Sequence, residues 1–265
     1  MLPKNKYRKP VQGNKEQRAD KASSWLDFLD SHYSEEVSNA IKRTTAYTDV
    51  TLEDDLPETK RFAETKNSVY KNDVVTCARA AVTHAKPGAK ICVLNFASYV
   101  NPGGGFLKGA TAQEEALCYS TGLYPCLASK PKWYDKHREE ETDSCYSNDY
   151  IYSKNVPFIV NGKCYFVDVL TMAAPNNAKS RFSPVEEIFK ERMEVAVQIA
   201  IKNNVDVMLL GAWGCGVFGN DPKFVANRWK ELSELYAGYI GEFVHPIIDT
   251  ATYKVFKDVF TVSSK

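Results

Sequence analysis

The sequence predicts an α/β protein in which helices cover both faces of a mixed central sheet, giving three α/β/α layers. Short apolar runs of strand length recur at 90–97, 163–172 and 205–210, stretches with helical spacing of apolar residues separate them, and two glycine-rich loops directly follow strands. Sheets of this kind bind ligands in loops beyond the carboxyl ends of their strands, where both glycine-rich loops fall.

Residues 1–23 carry Lys4, Lys6, Arg8, Lys9, Lys15, Arg18 and Lys21 with hardly any bulky apolar side chain, so they read as a flexible basic tail that cannot offset the entropy of ordering. A targeting or nucleic-acid arm is the sharper reading of that charge run, and a solvated tail the plainer one. The rest, 24–265, reads as one domain that begins with a helical preface. Apolar residues at 25, 28, 29, 33, 37 and 41 follow helical spacing and predict one or two helices before the acidic loop Glu53–Glu58. A helix near 72–86 then ends at Pro87–Gly88, a strand spans 90–97, and a second helix starts at about 112. A long polar loop near 129–150 precedes strands at 157–160 and 163–172. Ser183, Pro184 and Glu186 supply an N-cap, a pre-set first turn and a capping-box acid for a helix with Val185, Ile188, Val195 and Ile199 on its apolar face. Strand 205–210, a helix from Asp221–Pro222, a strand at 243–248 and a last helix near 251–260 close the chain.

The 34 basic and 33 acidic residues nearly cancel, so no chain-wide field draws the protein to nucleic acid or acidic lipid, and any anion must be held locally. Seven scattered cysteines, with no CxxC pair and no metal-ligand spacing to the four histidines, point to reduced thiols in an intracellular protein and to no metal site. No apolar run is long enough to span a membrane, and the N-terminus lacks the apolar core of a secretory signal.

The first glycine-rich loop is Asn101-Pro102-Gly103-Gly104-Gly105-Phe106, after the strand ending in Leu94-Asn95-Phe96. Consecutive glycines let backbone approach a ligand and turn their N–H groups on an anion; the alternative is a plain turn. Gln113-Glu114-Glu115 follows at the start of a helix. Adjacent carboxylates beside a concave loop repel each other, which retains a proton for general acid work. Against this, Thr111-x-x-Glu114 matches a capping box, which accounts for Glu114 as a helix cap but leaves Glu115 unexplained.

The second loop, Gly211-Ala-Trp-Gly214-Cys215-Gly216-Val217-Phe218-Gly219-Asn220-Asp221, contains Gly214-x-Gly216-x-x-Gly219, formally a dinucleotide fingerprint. Its place near the C-terminus argues against a nicotinamide dehydrogenase while keeping diphosphate binding. Phe218 reads either as core or as a stacking face for a sugar or base. Cys215 has no histidine placed to activate it and reads as a small loop-filling residue.

Taken together, the triple glycine, its spacing to Gln113-Glu114-Glu115, the Gly214–Gly219 loop and Ala174-Pro175-Asn176 resemble the microbial poly(ADP-ribose) glycohydrolase family, over roughly 60–265. The resemblance implies a macrodomain fold and hydrolysis of ribose–ribose bonds in poly(ADP-ribose), releasing ADP-ribose, with neither cofactor nor metal. By the same resemblance Glu115 protonates the leaving glycosidic oxygen and Glu114 orients ribose hydroxyls. Gly103, Gly104, Gly105 and Gln113 line the reacting end, and Asn101 contacts the distal ribose. Gly214, Cys215, Gly216, Val217, Phe218 and Gly219 cradle the diphosphate, with Phe218 on the adjoining ribose. The tyrosine that clasps substrate in animal relatives has no located counterpart; Tyr134, Tyr146, Tyr150 and Tyr152 lie in a plausible covering segment. Two rivals share the pocket: a hydrolase removing single ADP-ribose units from a protein side chain such as arginine, and a non-catalytic ADP-ribose reader, which needs the glycine loops but not the paired glutamates.

Overall fold

The structure, a computed structural model, describes residues 12–53, 56–140 and 143–261. In chain order the first elements are α1 (Lys15–Lys42), β1 (Thr44–Tyr47), β2 (Lys66–Tyr70), α2 (Val74–His84) and β3 (Ile91–Phe96). A 3-10 turn at Phe106–Lys108 leads to α3 (Gln113–Cys118), α4 (Leu123–Ala128), α5 (Pro131–Glu139), β4 (Tyr150–Val160) and β5 (Lys163–Met172). The chain closes with α6 (Val185–Lys202), β6 (Val207–Leu209), α7 (Pro222–Leu235), β7 (Glu242–Pro246) and α8 (Thr250–Thr261). No helix among the described residues is long and apolar enough to cross a membrane.

These elements group into two compact units. The first holds residues up to Tyr47, Asn95–Glu140 and Tyr150–Met172. Its strands are antiparallel in the order β1-β4-β5. β4 and β5 form a long hairpin closed by Asn161 and Gly162, whose φ of 53° and 74° are those of a primed turn that matches strand twist. α1 and α4 pack on β4. The apolar stripe read along α1 is the buried one, through Trp25, Leu29, Tyr33 and Val37, and non-helical torsions at Tyr33 mark a kink between its two halves.

α1 begins at Lys15, inside the stretch expected to be tail, because the Asn14 carboxamide and Gln17 form a reciprocal capping box and Arg18 donates to the Gly109 carbonyl at 2.6 Å. The expectation for residues 1–11 lies outside the described residues.

The second unit holds Thr48–Leu94, Glu141–Asp149 and residues from Ala173 onward. Its strands are parallel in the order β3-β6-β7-β2. α2 packs on β6 and β7, and α7 and α8 pack on β2 and on each other. α7 buries Val225, Ala226, Trp229 and Leu232, as its sequence stripe predicts. Each of the larger of these side chains contributes about 1.5–3 kcal/mol relative to exposure.

Three expectations are corrected. The polar stretch 129–150 is not all loop: it contains α5, whose buried Trp133, Tyr134 and His137 are hidden among five charged neighbours. β4 starts at Tyr150, seven residues before the predicted strand. The N-cap of α6 is Pro184, and the Ser183 hydroxyl donates to Asp143 at 3.0 Å instead of capping the helix.

Candidate active site

In the first unit the chain leaves the end of β3 and folds into the loop and helix that carry the paired glutamates. Asn95, a polar residue in an otherwise apolar strand, is wholly buried, and its amide donates to Glu114 Oε1 at 3.1 Å and to the Thr171 hydroxyl at 3.2 Å. The Ser98 N–H donates to Glu114 Oε2 at 2.7 Å. Gln113 accepts from the Phe96 N–H at 2.9 Å, so this candidate substrate contact also clamps the end of β3 to the first turn of α3. The capping box does not form: the N-cap of α3 is Ala112 and no side chain caps the helix. Glu114 is spent on the strand and loop instead.

Glu115 is held differently. Its Oε1 accepts from the Gly105 N–H at 2.7 Å, while its Oε2 is buried without a hydrogen-bond partner among the described residues. The triple glycine allows this approach. Gly103 and Gly104 have φ of 67° and 59°, and a Cβ on Gly104 would stand 2.4 Å from Glu115 Oε1 and 3.0 Å from Glu114 Oε2. Asn101 is exposed at the start of the loop, with its carbonyl accepting from the Gly104 N–H at 3.0 Å. The Tyr134 hydroxyl is also buried with no hydrogen-bond partner among the described residues, and burial together with the Glu114 charge holds its proton well beyond the usual phenol range.

Burial pushes the Glu114 carboxyl up to about 8, and the Glu115 charge adds to the rise; the Ser98 N–H, the Asn95 amide and the Gly103 N–H pull the other way without overcoming it. The pair therefore holds a proton at neutral pH. The link to stability has a definite sign. The folded protein binds this proton more tightly than the unfolded chain, so the contribution is fully present below about pH 4.5, the ordinary value, and is lost as pH rises through about 8. Glu114→Gln removes that titration. The melting temperature of Glu114→Gln minus that of the native protein is expected to become more positive between pH 5 and pH 8, whatever constant offset the lost acceptor introduces. Thermal melts across that range check it, and a flat difference would show that Glu114 titrates in the ordinary range.

In the second unit the loop after β6 is shaped by Gly211, Gly214 and Gly219, with φ of 75°, 73° and 67°. A Cβ on Gly214 would meet the Asn220 amide at 2.5 Å and Ala174 at 2.8 Å. Asn220, buried, donates to the Pro175 carbonyl at 2.8 Å and the Gly214 carbonyl at 3.1 Å, which ties Ala174-Pro175-Asn176 to the glycine loop. Gly216 and Val217 project outward, Val217 being 85% exposed, and a Cβ on Gly216 would meet nothing within 4 Å. Phe218 is half-buried, its ring centroid 6.2 Å from that of Tyr146. Cys215 is unsuited to nucleophilic work, since burial and the Asp221 charge push its thiol up to about 12. The N-terminus of α7 is already engaged: the Asp221 carboxylate caps it and Pro222 offers no N–H.

Sequence reading named the glycines and glutamates but assigned no role to Asn95, Ser98, Thr171 or Asn220. A lone Asn inside the run Ile91-Cys-Val-Leu-Asn-Phe96 was the available signal.

The family model for the catalytic domain of microbial-type PARG matches residues 29–161. The crystal structure of poly(ADP-ribose) glycohydrolase from Thermomonospora curvata is 31% identical, with a TM-score of 0.84, over 92% of this chain and 100% of that one. The same enzyme bound to the inhibitor ADP-HPD is 32% identical, with a TM-score of 0.80, over 92% and 99%. The Deinococcus radiodurans enzyme in complex with ADP-ribose is 30% identical, with a TM-score of 0.73, over 84% and 96%. No curated protein sequence matches. The mixed α/β architecture is macrodomain-like, as the motifs implied, and the chain belongs to the microbial-type poly(ADP-ribose) glycohydrolases.

Proposed function

We propose that this protein hydrolyses the ribose–ribose O-glycosidic bonds of poly(ADP-ribose), releasing ADP-ribose, with Glu115 as general acid and then general base. The observation that carries the reading is the buried pair in which one oxygen of Glu115 is pinned by a backbone N–H and the other has no partner among the described residues. A buried acceptor left unmade costs about 1–3 kcal/mol, which suits an atom reserved for a ligand.

In the free protein burial and the Glu115 charge raise the Glu114 carboxyl, so the pair enters the reaction with a proton to give. Glu115 delivers that proton to the glycosidic oxygen as its bond to the anomeric carbon breaks. A water adds to the same carbon, its proton returns to Glu115, and ADP-ribose leaves with a free anomeric hydroxyl. Gly103, Gly104, Gly105 and Gln113 shape the reacting end, and Asn101 takes the distal ribose. The glycine-rich loop Gly214–Gly219 cradles the diphosphate, with Phe218 against the adjoining ribose.

Incubation with poly(ADP-ribose) and, separately, with mono-ADP-ribosylated protein, followed by mass analysis of the released nucleotide, tests the substrate. Release from the mono-modified protein alone would transfer the assignment to the side-chain hydrolase; release from neither, with ADP-ribose still bound, would make the protein a reader. For the diphosphate loop, Gly216→Val is expected to weaken ADP-ribose at least about tenfold while leaving the melting temperature nearly unchanged, because the added atoms enter open space where phosphate must approach. Calorimetric titration beside a thermal melt reads both.

A further inference from the structure

We infer that Phe182 is a stacking platform for an adenine of an ADP-ribose polymer, outside the unit held by the glycine-rich loop. The inference rests on the poly(ADP-ribose) reading above for the identity of the polymer.

Phe182 is 90% exposed and packs into no core. Its backbone is nevertheless fixed. The Asp143 carboxylate accepts from the N–H groups of Phe182 at 3.0 Å, Ser183 at 3.0 Å and Arg181 at 3.2 Å, and from the hydroxyls of Ser180 at 2.9 Å and Ser183 at 3.0 Å. These donors, the Phe182 N–H foremost, hold the Asp143 carboxyl well below the usual range, so the clamp persists across physiological pH. An aromatic ring displayed in water on a fixed turn loses little entropy when a planar partner lands on it.

The surroundings specify that partner. Lys179 and Arg181, both on the N-terminal side of Phe182, are exposed, and neither enters an ion pair among the described residues. Glu186 and Glu187 lie beyond Pro184 in the first turn of α6, where they complement that helix N-terminus. The same loop is tied to the proposed diphosphate cradle: the Asn177 amide donates to the Gly219 carbonyl at 3.2 Å and the Ala178 N–H to the Phe218 carbonyl at 3.0 Å. Two exposed cations leading into an aromatic face, on a loop tied to the proposed diphosphate cradle, match a polymer that repeats base and diphosphate. A one-sided stack is too weak to hold a free nucleotide. It gains its effect when the polymer is already anchored next door and the second contact is intramolecular.

The test compares Phe182→Ala and Phe182→Trp in a Glu115→Gln background, measuring affinity for a fluorescent ADP-ribose oligomer by anisotropy and for free ADP-ribose by calorimetry. Phe182→Ala is expected to weaken the oligomer about tenfold and ADP-ribose less than twofold, with Phe182→Trp restoring oligomer affinity. Unchanged oligomer affinity would overturn the platform. A parallel loss for ADP-ribose would place Phe182 in the mononucleotide site and overturn it equally. Hydrolysis by the otherwise native chain is assayed separately, so absent ADP-ribose release would count against the glycohydrolase reading, while the binding arm still decides the platform.

Discussion

Glu115→Gln is expected to lower the rate of ADP-ribose release by about 10²–10⁴-fold, the range a positioned general acid and base supplies, while ADP-ribose affinity stays within a few-fold. The amide retains the shape of the carboxyl and an oxygen to accept the Gly105 N–H, so the loop geometry survives. What it loses is the exchangeable proton. Single-turnover release of ADP-ribose from poly(ADP-ribose), read beside calorimetric affinity, separates the two effects. A variant keeping more than about a tenth of native turnover would remove Glu115 from its role, because a residual rate that high lies outside the contribution of general acid catalysis.

Arg192→Met is expected to cost about 3 kcal/mol or more of stability, a larger loss than a surface change of the same volume could cause. Arg192 is 1% exposed, and its guanidinium donates to the carbonyls of Cys145 at 2.6 Å, Tyr146 at 2.9 Å and Ala173 at 3.1 Å, and to the Asn148 side chain at 3.1 Å. Methionine fills the volume but leaves these acceptors without that donor, at about 1–3 kcal/mol for each that stays buried. Arg192→Lys is not expected to rescue, since an ammonium cannot reproduce the planar fork. Urea unfolding reads the effect as a lower midpoint at unchanged slope. A loss under about 1 kcal/mol would mean that water or local rearrangement satisfies the carbonyls.

What sequence reasoning recovered and what it missed follow from length and polarity. α7 announced itself through Val225, Trp229 and Leu232 at helical spacing, and β5 through a long apolar run. β1 and β2 did not. Thr44-Thr-Ala-Tyr47 and Lys66-Asn-Ser-Val-Tyr70 are four and five residues long, largely polar, and each pairs with one strand of its unit, so neither carries the alternation of a half-buried strand. The site was legible in its glycines and glutamates, because those residue types are needed for backbone approach and proton transfer wherever they occur. Its supporting contacts were not: that the Ser98 N–H meets Glu114, or that Arg192 gathers the carbonyls of residues 145 and 146, depends on how distant segments are brought together. The capping-box match at Thr111 shows the limit from the other side, since the spacing was present and the bond was not.

The hydrogen bonds that hold the two glutamates have a consequence in chain entropy. Asn95 to Glu114, Ser98 to Glu114 and Gly105 to Glu115 close loops of only 19, 16 and 10 residues, whereas Asn95 to Thr171 spans 76. Loop-closure cost grows with the logarithm of length, so the three short closures differ from one another by only about 0.6 kcal/mol, and each is cheaper than the long one. The carboxylates and their donors thus form a nearly self-contained segment, 95–115, whose internal order is entropically inexpensive and whose single long-range tie in this set is a neutral amide–hydroxyl bond. The contacts of the two carboxylates therefore travel with the segment itself, while other ties on it, such as Arg18 to the Gly109 carbonyl, come from outside.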